Sequence, residues 1–155
     1  MRPRDVEIER KYLLSGLPEA VANVRPVTID QGWLPGERLQ ERIRRIRDAS
    51  GESYTRTVKL GEGVERIQVE EAADRALFDA LWPLTNGRRV SKLRYRVPDG
   101  DLVWEIDRFT DRELLLAEVE LPDADFVPTL PAWLAPYVVR EVSGVPEYVN
   151  VNLAR

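Results

Sequence analysis

Asp5-Val6-Glu7-Ile8-Glu9-Arg10-Lys11-Tyr12-Leu13-Leu14 sets two acids and a lysine on alternate positions near the start of the chain. In a β-strand successive side chains leave opposite faces, so Glu7, Glu9 and Lys11 point one way while Val6, Ile8, Tyr12 and Leu14 point the other. Two carboxylates this close suit a hard divalent cation, and an ammonium beside them suits a phosphate held by the same cation. A plain surface strand has the same local pattern, with its charges in water and its aliphatics in a core. What separates the two readings is whether the ionic face recurs downstream.

Composition narrows the chemistry. The chain has 155 residues, room for one domain with a real core, and one domain spanning 1–155 is the expectation. There are 23 basic and 27 acidic residues, a net charge of −4 that offers nucleic acid no overall attraction. Cysteine and histidine are both absent, which removes disulfides, thiolate chemistry, imidazole bases and serine-histidine nucleophiles. Catalysis would rest on carboxylates, amines, guanidinium groups, hydroxyls or an oxygen-held metal. Met1-Arg2-Pro3-Arg4-Asp5 leads into a charged strand with no apolar run, so no signal peptide or membrane span is expected and the cytoplasm is the default location.

Strand signals dominate the pattern. After the first strand, Gly16 to Ala22 reads as a turn into a short helix and Val27 to Leu34 as a strand ended by Pro35-Gly36. Leu39 to Asp48 and Tyr54 to Leu60 read as a hairpin around Ala49-Ser50-Gly51-Glu52, and Gly61-Glu62-Gly63 turns the chain into Val64 to Glu71. Ala73, Leu77 and Leu81 recur at helical spacing up to Trp82-Pro83. Arg88 to Val97, Leu102 to Phe109 and Glu113 to Leu121 form a meander, with Pro98-Asp99-Gly100 as a turn. Asp123 to Arg155 reads as loops plus a short helix around Trp133 to Tyr137.

Parity then sorts the charges. Arg45 and Arg47 share a face, as do Thr55, Thr57 and Lys59; so do Arg66, Gln68 and Glu70, then Lys92 and Arg94, Glu105 and Asp107, and Glu118 and Glu120. Opposite faces carry pairs such as Leu93 and Tyr95, Trp104 and Ile106, and Val119 and Leu121. Arg42 and Arg44 fall on the other parity of their strand and read as solvated. A half-exposed sheet with cross-strand ion pairs would also hold both signs of charge. Scarce helical sequence, with acids gathered on the first and last strands and bases on the middle ones, favours a closed antiparallel barrel enclosing a two-signed polar tunnel.

In this ordered series the chain resembles the CYTH superfamily, the triphosphate tunnel metalloenzymes. The resemblance rests on Glu7-Ile8-Glu9-Arg10-Lys11, Gln31-Gly32-Trp33-Leu34, Arg45-Ile46-Arg47, Thr57-Val58-Lys59, Leu81-Trp82-Pro83-Leu84-Thr85, Gly87-Arg88-Arg89-Val90, Lys92-Leu93-Arg94-Tyr95, Glu105-Ile106-Asp107 and Glu118-Val119-Glu120. It implies a mainly β (α+β) fold, an eight-stranded antiparallel closed barrel with a few flanking helices. It also implies chemistry on a triphosphate with Mg²⁺ or Mn²⁺ as cofactor. By position, Glu7 and Glu9 would bind metal with help from Glu118 and Glu120, while Glu70, Glu105 and Asp107 would serve a second metal or orient water. Lys11, Arg45, Arg47, Lys59, Arg66, Lys92 and Arg94 would hold phosphate oxygens.

The function this implies is hydrolysis of a triphosphate, with inorganic tripolyphosphate preferred because little of the chain is left over to recognise a base. A class IV-type adenylyl cyclase, a thiamine triphosphatase and a non-catalytic polyphosphate- or nucleotide-binding module are the alternatives. The expected partner is a small-molecule triphosphate, with no nucleic acid and no membrane, for a monomer or homodimer. Two departures from the family pattern stand out: Gln68, where a metal-side acid is often found, and the neutral ending Tyr148 to Leu153, where some bacterial relatives carry lysine.

Overall fold

Alternating sequence produces long strands here because each has one face that an apolar layer can cover and one that charges can share. The computed structural model describes residues 6–36, 39–60 and 64–154. It contains β1 (Val6–Leu14), β2 (Val27–Trp33), β3 (Gln40–Asp48), β4 (Gly51–Leu60), β5 (Glu65–Ala73), β6 (Arg89–Asp99), β7 (Leu102–Phe109), β8 (Leu115–Glu120) and β9 (Val138–Glu141), with two short helices, α1 (Arg75–Leu81) and α2 (Asn150–Leu153). The lead-in Met1 to Asp5 and the turn expected at Gly61-Glu62-Gly63 lie outside the described residues.

The strands run β5-β4-β3-β2-β6-β7-β8-β1-β9, and β1 also pairs with β5, so eight of them close into a barrel in which every pairing is antiparallel. The expected mainly β closed barrel is therefore the observed one, with β9 added. One edge of β1 serves two partners: Val6, Glu7 and Ile8 pair with β5, and Tyr12, Leu13 and Leu14 pair with β9. Between them Lys11 N–H donates to Ser143 Oγ and Val142 N–H to the Lys11 carbonyl, both at 2.8 Å.

Several boundaries move. The β3–β4 hairpin is tighter than expected, since Asp48 pairs with Gly51 and only Ala49-Ser50 remain in the turn. Pro98 and Asp99 belong to β6, and the chain reverses at Gly100-Asp101, with Gly100 at φ +59°. The last segment, expected to be loops and one helix, contributes β9 and α2.

Two apolar clusters position the tunnel. Outside the barrel, Tyr12, Tyr95, Trp104, Ile106, Ala117 and Val119 are buried beneath Leu130, Trp133, Leu134 and Tyr137. Full burial of large side chains such as Trp104 and Ile106 contributes about 1.5–3 kcal/mol each. Inside it, Trp33, Val90, Phe109 and Leu116 pack with Val142, Val151 and Ala154. Their strand partners are inward-facing residues, Arg42 for Trp33, Gln31 for Val90, Lys92 for Phe109 and Asp107 for Leu116, so this cluster plugs one end of the barrel and α2 caps it. Gly32 allows the turn after α1 to lie directly on β2, since a Cβ there would stand 2.5 Å from Thr85 Oγ1. No helix of the described residues is long and apolar enough to cross a membrane.

Candidate active site

Register determines which charges face inward. Glu7 lies opposite Arg66, Glu9 opposite Glu120 and Lys11 opposite Glu118, while Glu105 lies opposite both Glu118 and Arg96. On the far wall Thr57 lies opposite Glu70 and Lys59 opposite Gln68. These side chains surround a cavity of about 460 Å³ whose lining includes Glu7, Glu9, Lys11, Lys59, Arg66, Gln68, Glu70, Arg94, Glu105, Glu118 and Glu120.

On β3 the inward residues are Arg42 and Arg44, opposite Thr57 and Thr55, and both line the cavity. The inward placement expected for Arg45 and Arg47 is corrected: both face out, and both donate to Asp30 Oδ2, at 2.9 and 3.0 Å. The run Arg42-Ile43-Arg44-Arg45-Ile46-Arg47 has an arginine pair in either frame. Pairing with β2 and β4 decides between them, putting Ile43 in the buried outer layer and Ile46 at the cavity wall.

Among the described residues the tunnel acids other than Glu120 are engaged by tunnel bases. Glu7 Oε2 accepts from Lys59 Nζ at 2.8 Å and Arg66 Nη2 at 3.0 Å, and the same Nη2 donates to Glu9 Oε1 at 2.7 Å. Burial works to raise the Glu7 carboxyl, but Lys59 and Arg66 outweigh it and leave it below the usual value. Glu9 goes the other way: burial, then the charges of Glu118 and Glu7, push it up to about 7. Burial, followed by Arg42, brings Lys59 down to about 8.

Lys92 and Asp107 point into the plugged end of the barrel, both fully buried and outside the cavity lining, so the expectation that Lys92 holds phosphate oxygens does not match its placement. Asp107 accepts from Lys92 Nζ at 2.6 Å and from Arg94 Nε and Nη2 at 2.7 and 2.8 Å. The expectation that Asp107 joins the metal-side acids does not match this placement, because both of its oxygens are taken up in holding Lys92 and Arg94. Arg94 also reaches Glu118 and Glu105, each at 3.3 Å. Burial opposes ionisation of Glu118, yet Lys11, Lys92 and Arg94 hold it well below the usual range.

The donor set can be tested against a divalent cation. Glu7, Glu9, Glu118, Glu120 and Glu105 offer only carboxylate oxygens, the ligands that Mg²⁺ and Mn²⁺ take. Glu118 Oε1 is buried with no hydrogen-bond partner; Lys11 Nζ is 3.3 Å away but donates to the Tyr148 carbonyl instead. Burial, Glu7 and Glu105 all push the Glu120 carboxyl up, so added positive charge at this wall would relieve both Glu9 and Glu120. No three acids of the described residues already stand in ligating geometry, because Lys59, Arg66 and Arg94 hold several of them. The residues fit the ion in kind and in charge.

Sequence reasoning missed the inward Arg42 and Arg44, and with them the holding roles of Gln31 and of Thr57, the latter already placed on the tunnel face with Lys59. Arg44 Nε donates to Gln31 Oε1 at 2.8 Å, and Arg42 Nη2 donates to Thr57 Oγ1 at 3.1 Å. The usable signal was the clean alternation Thr55-Arg56-Thr57-Val58-Lys59 on the adjacent strand, whose polar face fixes the frame of β3 once the two are paired. Gln68 lines the cavity opposite Lys59, and Val149, Asn150 and Val151 of the neutral ending line its closed end.

No family model matches the chain. It is 36% identical over 158 residues to an inorganic triphosphatase of Nitrosomonas europaea, with 96% of each chain covered. The chain belongs to the inorganic triphosphatase family. A second member of that family, from Acetivibrio thermocellus, is 30% identical over 96% of this chain and 93% of its own length. The crystal structure of an inorganic triphosphatase superposes with a TM-score of 0.64 at 32% identity, covering 96% of this chain. A conserved Pyrococcus furiosus protein of 18% identity and TM-score 0.57 shares the fold. The inorganic triphosphatases thus place the chain among the CYTH-type triphosphate tunnels.

Proposed function

We propose that this protein hydrolyses inorganic tripolyphosphate to pyrophosphate and phosphate with Mg²⁺ or Mn²⁺ as cofactor. The observation that carries this reading is the division of the cavity into an acidic wall and basic walls. Glu7, Glu9, Glu118 and Glu120 stand on β1 and β8, while Arg42 and Arg44 of β3, Lys59 of β4, Arg66 of β5 and Arg94 of β6 supply positive charge around them. The cations grip the phosphate oxygens, the arginines in bidentate fashion and the lysines as point charges. Phosphoryl transfer depends mainly on positioning the chain and neutralising its developing charge, which this lining does without histidine or cysteine.

Glu7, Glu9, Glu118 and Glu120 would hold the divalent ion, with Glu105 beside them. Bound there, the ion supplies Lewis acidity toward phosphate oxygens and water. Lys11 faces Glu118 at the end of this wall, and Glu70, held by Thr57 Oγ1 at 3.0 Å, stands on the basic side where it can orient a water. Asp107 keeps Arg94 aimed into the cavity.

The test is phosphate release from tripolyphosphate, ATP and thiamine triphosphate, each with Mg²⁺, with Mn²⁺ and in excess chelator. Tripolyphosphate turnover that disappears in chelator is the expected result. Full turnover in chelator would remove the metal, and cyclic AMP from ATP would replace hydrolysis with cyclisation.

A further inference from the structure

The tunnel cations differ in what holds them. Lys11, Arg42, Lys59, Arg66, Lys92, Arg94 and Arg96 each have a carboxylate oxygen within 4 Å. Arg44 has none among the described residues; its Nε donates to the amide oxygen of Gln31 at 2.8 Å. Gln31 is fully buried on β2, between Arg44 of β3 and Val90 of β6. With Oε1 taken by Arg44, its Nε2 has no partner, and neither does the hydroxyl of Thr55, which sits opposite Arg44 on β4. The polar groups left over around this guanidinium can all donate.

The energetic consequence is specific to Arg44. Each of the other cations must give up an ion pair before it can grip an anion, whereas Arg44 is oriented by a neutral acceptor that leaves its charge uncancelled. Arg44 is half-buried with no carboxylate within 4 Å among the described residues, and the cost of its lost hydration, followed by the charges of Arg42 and Arg94, depresses it to about 9. An incoming polyanion relieves that cost directly.

We propose that Gln31 is a positioning residue for the triphosphate, holding Arg44 at the tunnel wall through a neutral hydrogen bond so that its full charge is kept for phosphate oxygens. This rests on the triphosphatase reading above. A carboxylate at the same position would hold the guanidinium equally well while cancelling its charge, so geometry and charge can be separated by one substitution.

Gln31→Glu is expected to raise KM for tripolyphosphate by about tenfold or more while kcat stays within about threefold, the mark of lost binding common to ground and transition states. It should also shrink the rise in melting temperature caused by added tripolyphosphate, and the unliganded variant should melt no lower than wild type. If Gln31 were only structural, glutamate would serve as well, so an unchanged KM and an unchanged ligand-induced shift would overturn the proposal. Should Gln31→Glu fail to fold, Gln31→Leu and Arg44→Leu decide singly and together. A double variant with the KM of Arg44→Leu alone supports action through Arg44, and KM effects that add overturn it. A wild type unable to hydrolyse tripolyphosphate would defeat the function itself, whereas an active wild type matched by Gln31→Glu defeats only the role of Gln31.

Discussion

Lys59 Nζ meets Glu7 Oε2 at 2.8 Å, an ion pair between strands that are not neighbours, since β5 lies between β4 and β1. The two walls of the tunnel are thus paired with each other across it. On the function proposed above, binding a metal and a polyanion would be an exchange in which acids pass to the cation and bases to the phosphates, with a net gain smaller than the charge count suggests.

Glu9 should make the metal-free protein less stable as pH rises. Its folded carboxyl titrates at about 7 against an ordinary 4.5, so the native state binds the extra proton across that window. The contribution is fully present below 4.5 and is lost as pH rises through about 7. Glu9→Gln should remove it. Denaturant midpoints measured without divalent ions at about pH 5 and about pH 8 should show the variant gaining on wild type at the higher value. The same substitution should abolish most turnover.

The face assignment on β3 predicts a contrast within one strand. Arg42→Ala and Arg44→Ala should each lower kcat/KM for tripolyphosphate at least about tenfold, roughly 1.4 kcal/mol of lost transition-state stabilisation. Arg45→Ala and Arg47→Ala, which loosen the outer cluster on Asp30 and, for Arg45, its stacking over Phe78, should stay within about twofold in kcat/KM and cost about 1 kcal/mol of stability. Equal losses in both pairs would show that the outer arginines act on the site.

The buried cluster behind the wall should respond asymmetrically. Asp107→Asn strips the carboxylate from Lys92 and weakens the hold on Arg94, and breaking a buried pair this way costs about 3–5 kcal/mol. Lys92→Met leaves Asp107 with its two bonds from Arg94, so its cost should be clearly smaller. Urea unfolding of the two variants checks the order, and a larger loss from Lys92→Met would contradict it.

Substrate choice should follow the lining. Trp33 is the one aromatic side chain at the cavity among the described residues, and it is 4% exposed and packed into the plug. A base therefore finds little to stack on, and kcat/KM for tripolyphosphate should exceed that for ATP at least about tenfold. Competition kinetics at equal metal measures this, and a preference for ATP would reverse it. Tripolyphosphate at about 100 times its Kd should stabilise the protein by about 2.7 kcal/mol.

How much of this was readable from the chain varies strand by strand. On β1, β5, β6, β7 and β8 alternation of charged and apolar residues over the central positions put Glu7, Arg66, Arg94, Glu105 and Glu118 on the inward face. On β3 arginines occupy both parities, and only hydrogen bonding to β2 and β4 selects one. Gln31 and Thr57 stood in stretches the sequence singled out, but their contacts with Arg44 and Arg42 appear only once those arginines are in place beside them. β9 was hidden because Val138-Val139-Arg140-Glu141 is short and does not alternate; it is a strand because the upper edge of β1 is left open for it.

That shared edge bears on how the molecule is assembled. β2 to β8 are strand neighbours that can zip together in a sheet while β1 stays apart. The first strand is locked when β5 and β9 share one of its edges and β8, more than 100 residues further on, takes the other. Contacts so distant in sequence form late and slowly. Because Glu7, Glu9 and Lys11 sit on β1, the acidic wall is among the last parts to come together. Until β1 has joined β8, most of the basic walls can be in place without a finished site.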